Sequence, residues 1–214
     1  DAVIDRFSGA PNPRVKQICE SLVRHMHDFV RDIRPSYEEW EYAIDFLTRT
    51  GKICDGSRQE FILLSDTLGV SMLVDAINNP IDGGVTQSTV LGPFFVDDAP
   101  KFELGANITG NMRGSPAYVQ GTVSSQDGKP LADAIVDVWH SDDDGFYDVQ
   151  QLEKLGGAAG RGQFRTDKNG KFWFWTIKPT FYPVPTDGPV GEMLRGQGRH
   201  PWRPAHLHFI RSEE

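Results

Sequence analysis

The chain has 214 residues and a net charge of −8, long enough to bury one large core or two small ones. No cluster of lysine and arginine interrupts the acidic balance, which argues against a nucleic-acid partner. No apolar run approaches the roughly 18 residues of a membrane span and no signal-peptide core is present, so the expectation is a cytoplasmic protein whose two cysteines, Cys19 and Cys54, are reduced buried thiols.

Residues 12–34 carry Val15, Ile18, Leu22, Met26, Phe29 and Ile33 at helical spacing, an amphipathic helix that Pro35 ends. Ser36 with Glu39 forms a capping box before Trp40, Ala43, Ile44 and Leu47; Ser57 with Glu60 forms another before Phe61, Leu64 and Leu68. A further helical stretch runs from Met72 to Ile77. The turn-rich segment Asn78-Asn79-Pro80-Ile81-Asp82-Gly83-Gly84 then marks a boundary. Beyond it the period becomes that of strands, at Tyr118–Val123 and Ala134–Trp139 around the turn Asp127–Pro130. The runs Gln163–Thr166 and Lys171–Thr176 flank Asp167-Lys168-Asn169-Gly170, a hairpin signal. The expected class is α+β: a helical domain over 1–84 followed by a β-sandwich over 85–214.

Arg203-Pro204-Ala205-His206-Leu207-His208-Phe209 alternates histidine with apolar residues. Side chains two apart on a strand share a face, so His206 and His208 can aim two imidazoles at one point, as a metal requires. Tyr147 and Tyr182 stand in irregular segments, where a sandwich displays binding groups. A phenol ionises near pH 10, so a tyrosinate ligand at neutral pH needs a hard, strongly Lewis-acidic ion; Fe(III) suits that set better than zinc or Fe(II). Asp142-Asp143-Asp144 lacks the spacing of a calcium loop and reads as a solvated turn. His140, at a strand end, reads as structural. His25 and His27 lie on the polar side of a helix, and His200 lies in a loop beside the candidate site.

Four segments then carry a resemblance: Leu91-Gly92-Pro93-Phe94-Phe95; Val138-Trp139-His140-Ser141 with Gly145-Phe146-Tyr147; Pro185-Thr186-Asp187-Gly188-Pro189-Val190-Gly191; and Trp202 to His208. Together they resemble the intradiol ring-cleavage dioxygenases, which act on catechol, chlorocatechol or hydroxyquinol. The resemblance implies one Fe(III) per chain, held by Tyr147, Tyr182, His206 and His208. It implies catalytic roles for Arg203, which stabilises negative charge on the substrate, and for Tyr182, which yields to it. It implies a pocket wall from Leu63, Asp66, Val90, Leu91, Gly92, Pro93 and Phe94, completed by Val184, Pro185 and Arg203. Catechol-type members place proline where Asp66 stands; a carboxylate there suits the third hydroxyl of hydroxyquinol, whose cleavage gives maleylacetate (3-hydroxy-cis,cis-muconate). The resemblance also implies a homodimer joined through the N-terminal helices, with an apolar channel that holds phospholipid. The family continues past the histidine motif, so the β-sandwich is expected to be incomplete at Glu214. A rival reading rests on Gly121–Val136, which resembles prealbumin-like binding modules; such a module has no reason to carry the Tyr/Tyr/His/His set. A zinc hydrolase lacks a suitable carboxylate near His206 and His208.

Overall fold

A computed structural model of the chain describes residues 2–56, 58–80 and 83–212. The chain divides into two compact units, Asp1–Ile53 and Cys54–Glu214. The change of period near residue 84 therefore falls inside the second unit rather than between the two.

The first unit is helical. A short α1 (Ala2–Asp5) and a 3-10 turn (Arg6–Gly9) precede α2 (Pro13–Ile33) and α3 (Tyr37–Lys52). Their ends are set locally. The Asn12 side chain accepts from the backbone N–H groups of Arg14 and Val15, with Pro13 in the first turn where its missing donor costs nothing. Arg34 adopts the left-handed conformation (φ 48°) and Pro35 prevents continuation. The Ser36–Glu39 capping box forms in both directions, at 3.2 and 2.7 Å. Along α2 the residues Val15, Ile18, Leu22, Met26, Phe29 and Ile33 are each 50–61% exposed.

In the second unit, α4 (Glu60–Thr67) and α5 (Val70–Asn78) lead into the sheets. The expected Ser57–Glu60 cap at the start of α4 rests on Ser57, which lies outside the described residues. Gln59 is the N-cap without a side-chain bond, and Glu60 is fully buried with its carboxylate bonded elsewhere. Ile81 and Asp82 of the boundary turn, and Glu213 and Glu214 at the end, also lie outside the described residues.

Two sheets form the sandwich. One pairs β1 (Pro116–Thr122) with β4 (Lys171–Ile177); the other is ordered β3 (Arg161–Arg165), β2 (Ile135–His140), β7 (Leu207–Ser212), all antiparallel. Between them lie Ile108, Val136, Val138, Phe164, Phe172 and Phe174, with Phe164 and Phe174 stacked at 5.0 Å. The Asp167–Gly170 signal makes a tight turn but no hairpin. Gly170 N–H bonds back to Asp167, yet β3 pairs with β2 and β4 with β1. The turn carries the chain from one sheet to the other because Phe164 and the Phe172–Phe174 pair are buried from opposite layers. Strands β1 and β2 likewise belong to different sheets. A third, minimal pairing joins β5 (Tyr182–Pro183) to β6 (Trp202–Arg203), and α6 (Leu152–Leu155) and α7 (Pro189–Gly196) complete the unit.

Candidate active site and metal centre

Each candidate side chain is positioned by a separate local device. His208 lies on β7 opposite Trp139 of β2, and its ring stacks on that indole at 4.6 Å, nearly parallel. His206 precedes β7 by one residue and donates its Nδ1–H to the Pro204 carbonyl at 2.6 Å. That bond leaves the Nε2 lone pair bare and aimed at the cluster, the usual arrangement of a metal-binding histidine. Tyr147 is fully buried and stacks on Phe94 at 4.3 Å. The turn before it is set by Asp142, whose carboxylate accepts from the backbone N–H groups of Asp144 and Phe146 at 3.0 and 2.9 Å. Asp142 is thus buried rather than solvated, while Asp143 and Asp144 face solvent. Gly145 completes the turn at φ 90°, where a Cβ would stand only 2.7 Å from Tyr182 Cβ. Tyr182 pairs with Arg203 across β5 and β6, which brings Arg203 NH1 to donate to the Tyr182 hydroxyl at 3.2 Å.

These devices converge. The Tyr147 hydroxyl lies 3.3 Å from the Tyr182 hydroxyl, 3.4 Å from His206 Nε2 and 3.1 Å from His208 Nε2; the two Nε2 atoms are 3.1 Å apart. Tyr147 Oη and the two Nε2 atoms are spaced as donors that share a centre about 2 Å from each, a metal–nitrogen or metal–oxygen bond length, and Tyr182 Oη stands beside Tyr147 Oη as a fourth. The donor set therefore fits one ion. Burial pushes the Tyr147 phenol well above its usual range, with the Tyr182 hydrogen bond adding to it. Only a strongly polarising cation would make it a phenolate. Burial, with Arg203 and His206 nearby, pushes His208 down to about 4, so its lone pair is free at neutral pH. Among the described residues no group of three or more His, Cys, Asp or Glu is placed to hold a metal ion; the cluster exists only through its tyrosines, which disfavours a zinc hydrolase.

The remaining candidates are distributed around this centre. Phe94 touches Tyr147 directly, and Gly92 faces His208, with a Cβ there 3.7 Å from the imidazole. Leu63 is half-buried and Asp66 exposed on α4, its side chain without a hydrogen bond among the described residues. Val90 and Val184 are half-buried, whereas Leu91, Pro93 and Pro185 are exposed. His140 is buried and bonded to Thr176 Oγ1 and the Ser141 carbonyl, a structural role; His200 is exposed. Cys19 and Cys54 are half-buried and neither forms a disulfide.

Three features escape a sequence reading. One is the Trp139 plate beneath His208, whose indole N–H is buried without a partner among the described residues. Another is the buried pair Arg161–Asp148, bonded at 2.7 Å through Nε, with Arg161 NH2 also reaching the Phe94 carbonyl at 3.0 Å. The third is the set Arg58, Glu60 and Asp187. None of the three has a local signal: Arg161 lies on the face of β3 opposite to the core residue Phe164 and beside Trp139, so strand alternation alone would leave it outside the core between the sheets.

Comparison with known proteins identifies the family. A family model described as the catechol dioxygenase N terminus matches residues 12–86, and one described as dioxygenase matches residues 90–213. A hydroxyquinol 1,2-dioxygenase of Corynebacterium glutamicum is 52% identical over 97% of this chain and 68% of its own length. A 6-chlorohydroxyquinol 1,2-dioxygenase of Cupriavidus pinatubonensis is 53% identical over 98% of this chain and 75% of its own. The solved hydroxyquinol 1,2-dioxygenase of Pseudomonas putida superposes with a TM-score of 0.95 at 50% identity, covering 99% of this chain and 73% of that one. The two matched models span nearly the whole sequence, the relatives share half of its residues, and the chain belongs to the intradiol ring-cleavage dioxygenases, a generally iron-dependent family of enzymes.

Proposed function

We propose that the chain binds one Fe(III) through Tyr147, Tyr182, His206 and His208 and opens the ring of hydroxyquinol between its two adjacent hydroxyl-bearing carbons, giving maleylacetate or its enol. The observation that carries the metal assignment is the convergence of the Tyr147 phenol oxygen and two imidazole nitrogens, mutually 3.1–3.4 Å apart, with the Tyr182 hydroxyl 3.3 Å from that of Tyr147. Ferric iron held by these four side chains would supply a Lewis acid that polarises the diol and its ring.

The protein's own groups divide the remaining work. Tyr147 is sealed by burial and by the Phe94 ring, so it stays in place. Tyr182 is half-buried and is the tyrosine that yields, its Oη taking a proton from the incoming diol. Arg203, already within 3.2 Å of that oxygen, stabilises the negative charge that develops on the substrate. Asp66 accepts a hydrogen bond from the third hydroxyl. Support for hydroxyquinol over catechol comes from the relatives: those named for hydroxyquinol are 47–53% identical, whereas a catechol 1,2-dioxygenase of Candida albicans is 39% identical. The apolar stripe on α2 supports a homodimer through the N-terminal helices, and is the place for the phospholipid-holding channel that the family resemblance implies. Cysteines outside any disulfide suit a cytoplasmic enzyme, and no described helix is long and apolar enough to cross a membrane.

The test is oxygen uptake by the iron-loaded protein with hydroxyquinol, catechol and chlorocatechol. The proposal expects a red tyrosinate-to-iron band and the highest kcat/KM for hydroxyquinol. A colourless preparation holding stoichiometric zinc refutes the metal assignment, and equal kcat/KM for the three diols refutes the substrate assignment.

A further inference from the structure

Glu60 is a charged residue with essentially no exposure. It stands at the first position of α4, yet its carboxylate serves another helix. Oε1 accepts from the backbone N–H of Val190, in the first turn of α7, at 3.2 Å. That N–H is one of the orphan donors of a helix start, and Gly188, the N-cap of α7, has no side chain to satisfy it. Oε2 receives Nε and NH2 of Arg58 at 3.0 and 2.9 Å. The same guanidinium holds Asp187 with two bonds of 2.9 Å, on the residue just before that cap. One buried carboxylate thus faces the positive ends of two helices, with an arginine fork closing the charge balance. The approach is close: a Cβ on Gly188 would lie 2.5 Å from Glu60 Oε1.

The far end of α4 is tied as well, since Arg199 NH1 donates to the Thr67 carbonyl at 2.8 Å. Both ends of the helix that carries Leu63 and Asp66 are therefore pinned to the 187–199 segment. That segment is bracketed by Tyr182, Val184 and Pro185 on one side and Arg203 on the other. Resting on the pocket assignment above, we propose that Glu60, clamped by Arg58 and Asp187, is a positioning residue that fixes the spacing between the α4 wall and the Val184–Pro185 wall, and so helps decide which diol the pocket prefers.

Glu60→Gln separates the two functions of the carboxylate. The amide oxygen still reaches Val190, but the amide nitrogen faces Arg58, donor against donor. In the iron-loaded protein the substitution is expected to speed amide exchange in α4 and in the first turn of α7 together. It should raise KM for hydroxyquinol severalfold, because the α4 wall is no longer held at its spacing. It should also lower the preference for hydroxyquinol over catechol, with kcat within about twofold and iron content and the tyrosinate band unchanged. Gly188→Ala, which leaves every charge in place but forces the backbone off Glu60, should reproduce the KM and preference changes. Asp187→Asn, on the exposed arm, should move them the same way by less. Unchanged KM and preference in folded Glu60→Gln or Gly188→Ala overturns the proposal. So does a KM change that comes only with loss of iron, because that is general loosening rather than positioning. If instead the unsubstituted protein neither colours with iron nor opens a diol, the pocket assignment itself has failed.

Discussion

The Arg161–Asp148 pair makes the sharpest energetic prediction. Both side chains are almost entirely buried, at 4% and 2% exposure. Replacing Arg161 with methionine keeps the apolar stem but removes two bonds to Asp148 and one to the Phe94 carbonyl. Asp148 keeps its own backbone N–H donors, from Val149 at 2.9 Å and Ala159 at 3.2 Å, but loses its counter-charge. Leaving one buried partner of an ion pair uncompensated costs about 3–5 kcal/mol. In a domain of this size each kcal/mol is worth about 2–4 °C, so the melting temperature should fall by about 6–20 °C. The cost belongs to the orphaned charge more than to the lost bonds, so Arg161→Met with Asp148→Leu should be milder than Arg161→Met alone, a coupling a double-mutant cycle reads directly. The consequence reaches the site, because Arg161 links Phe94 to the residue after Tyr147: in whatever fraction of Arg161→Met stays folded, the tyrosinate band should shift. Calorimetry on the single and double variants decides the matter. A fall below about 3 °C, or strictly additive losses, would show that solvent or another group already compensates Asp148.

Three further outcomes are expected. Tyr147→Phe should abolish most of the visible band and weaken iron retention severalfold or more, as measured by iron content after dialysis; full retention would remove Tyr147 from the ligand set. Asp66→Pro should lower the kcat/KM ratio of hydroxyquinol to catechol by about tenfold to a hundredfold, the worth of a charged hydrogen bond, and an unchanged ratio would make Asp66 only structural. Burial lowers the pKa values of both His140 and His208, the latter to about 4 against 6.5 when unfolded. The unfolded chain therefore binds more protons between those values, and the metal-free protein should be most stable above pH 6.5 and lose stability as pH falls towards 4. A urea midpoint that is flat or rises across that window contradicts it.

What the sequence revealed of the fold was what is decided locally. The ends of α2 and α3 follow from Asn12, Pro13, Pro35 and the Ser36–Glu39 box, all within a turn of the positions they control. Pairing is not local. Asp167–Gly170 encodes a turn, but whether its flanking strands bond to each other depends on which layer buries Phe164 and which buries Phe172, a decision made by β1 and β2 from far along the chain. Glu60 shows the same division. Its Ser-x-x-Glu pattern is a capping signal, yet the helix it caps begins at Pro189.

The site divides in the same way. His206 and His208 were readable as a pair because the period of two on a strand is local geometry, and the structure puts their Nε2 atoms 3.1 Å apart. Nothing in the spacing of Tyr147 and Tyr182 brings their hydroxyls to that point; only the family resemblance did. A physical signal for the whole centre emerges once burial is known. Among the described residues the buried aspartate, glutamate and arginine side chains are Glu60, Asp142, Asp148 and Arg161. Asp142 shapes the turn before Tyr147, and Asp148 and Arg161 tie the residue after it to Phe94. Glu60 joins the helix of Asp66 to the segment that follows Tyr182. Burying a charge costs several kcal/mol unless it is fully paired, and the sandwich core between the sheets is built without one. Every one of these buried charges frames the Tyr/His cluster or a proposed wall of its pocket. Their bonds hold Tyr147, Phe94 and the α4 helix in fixed relation around the cluster.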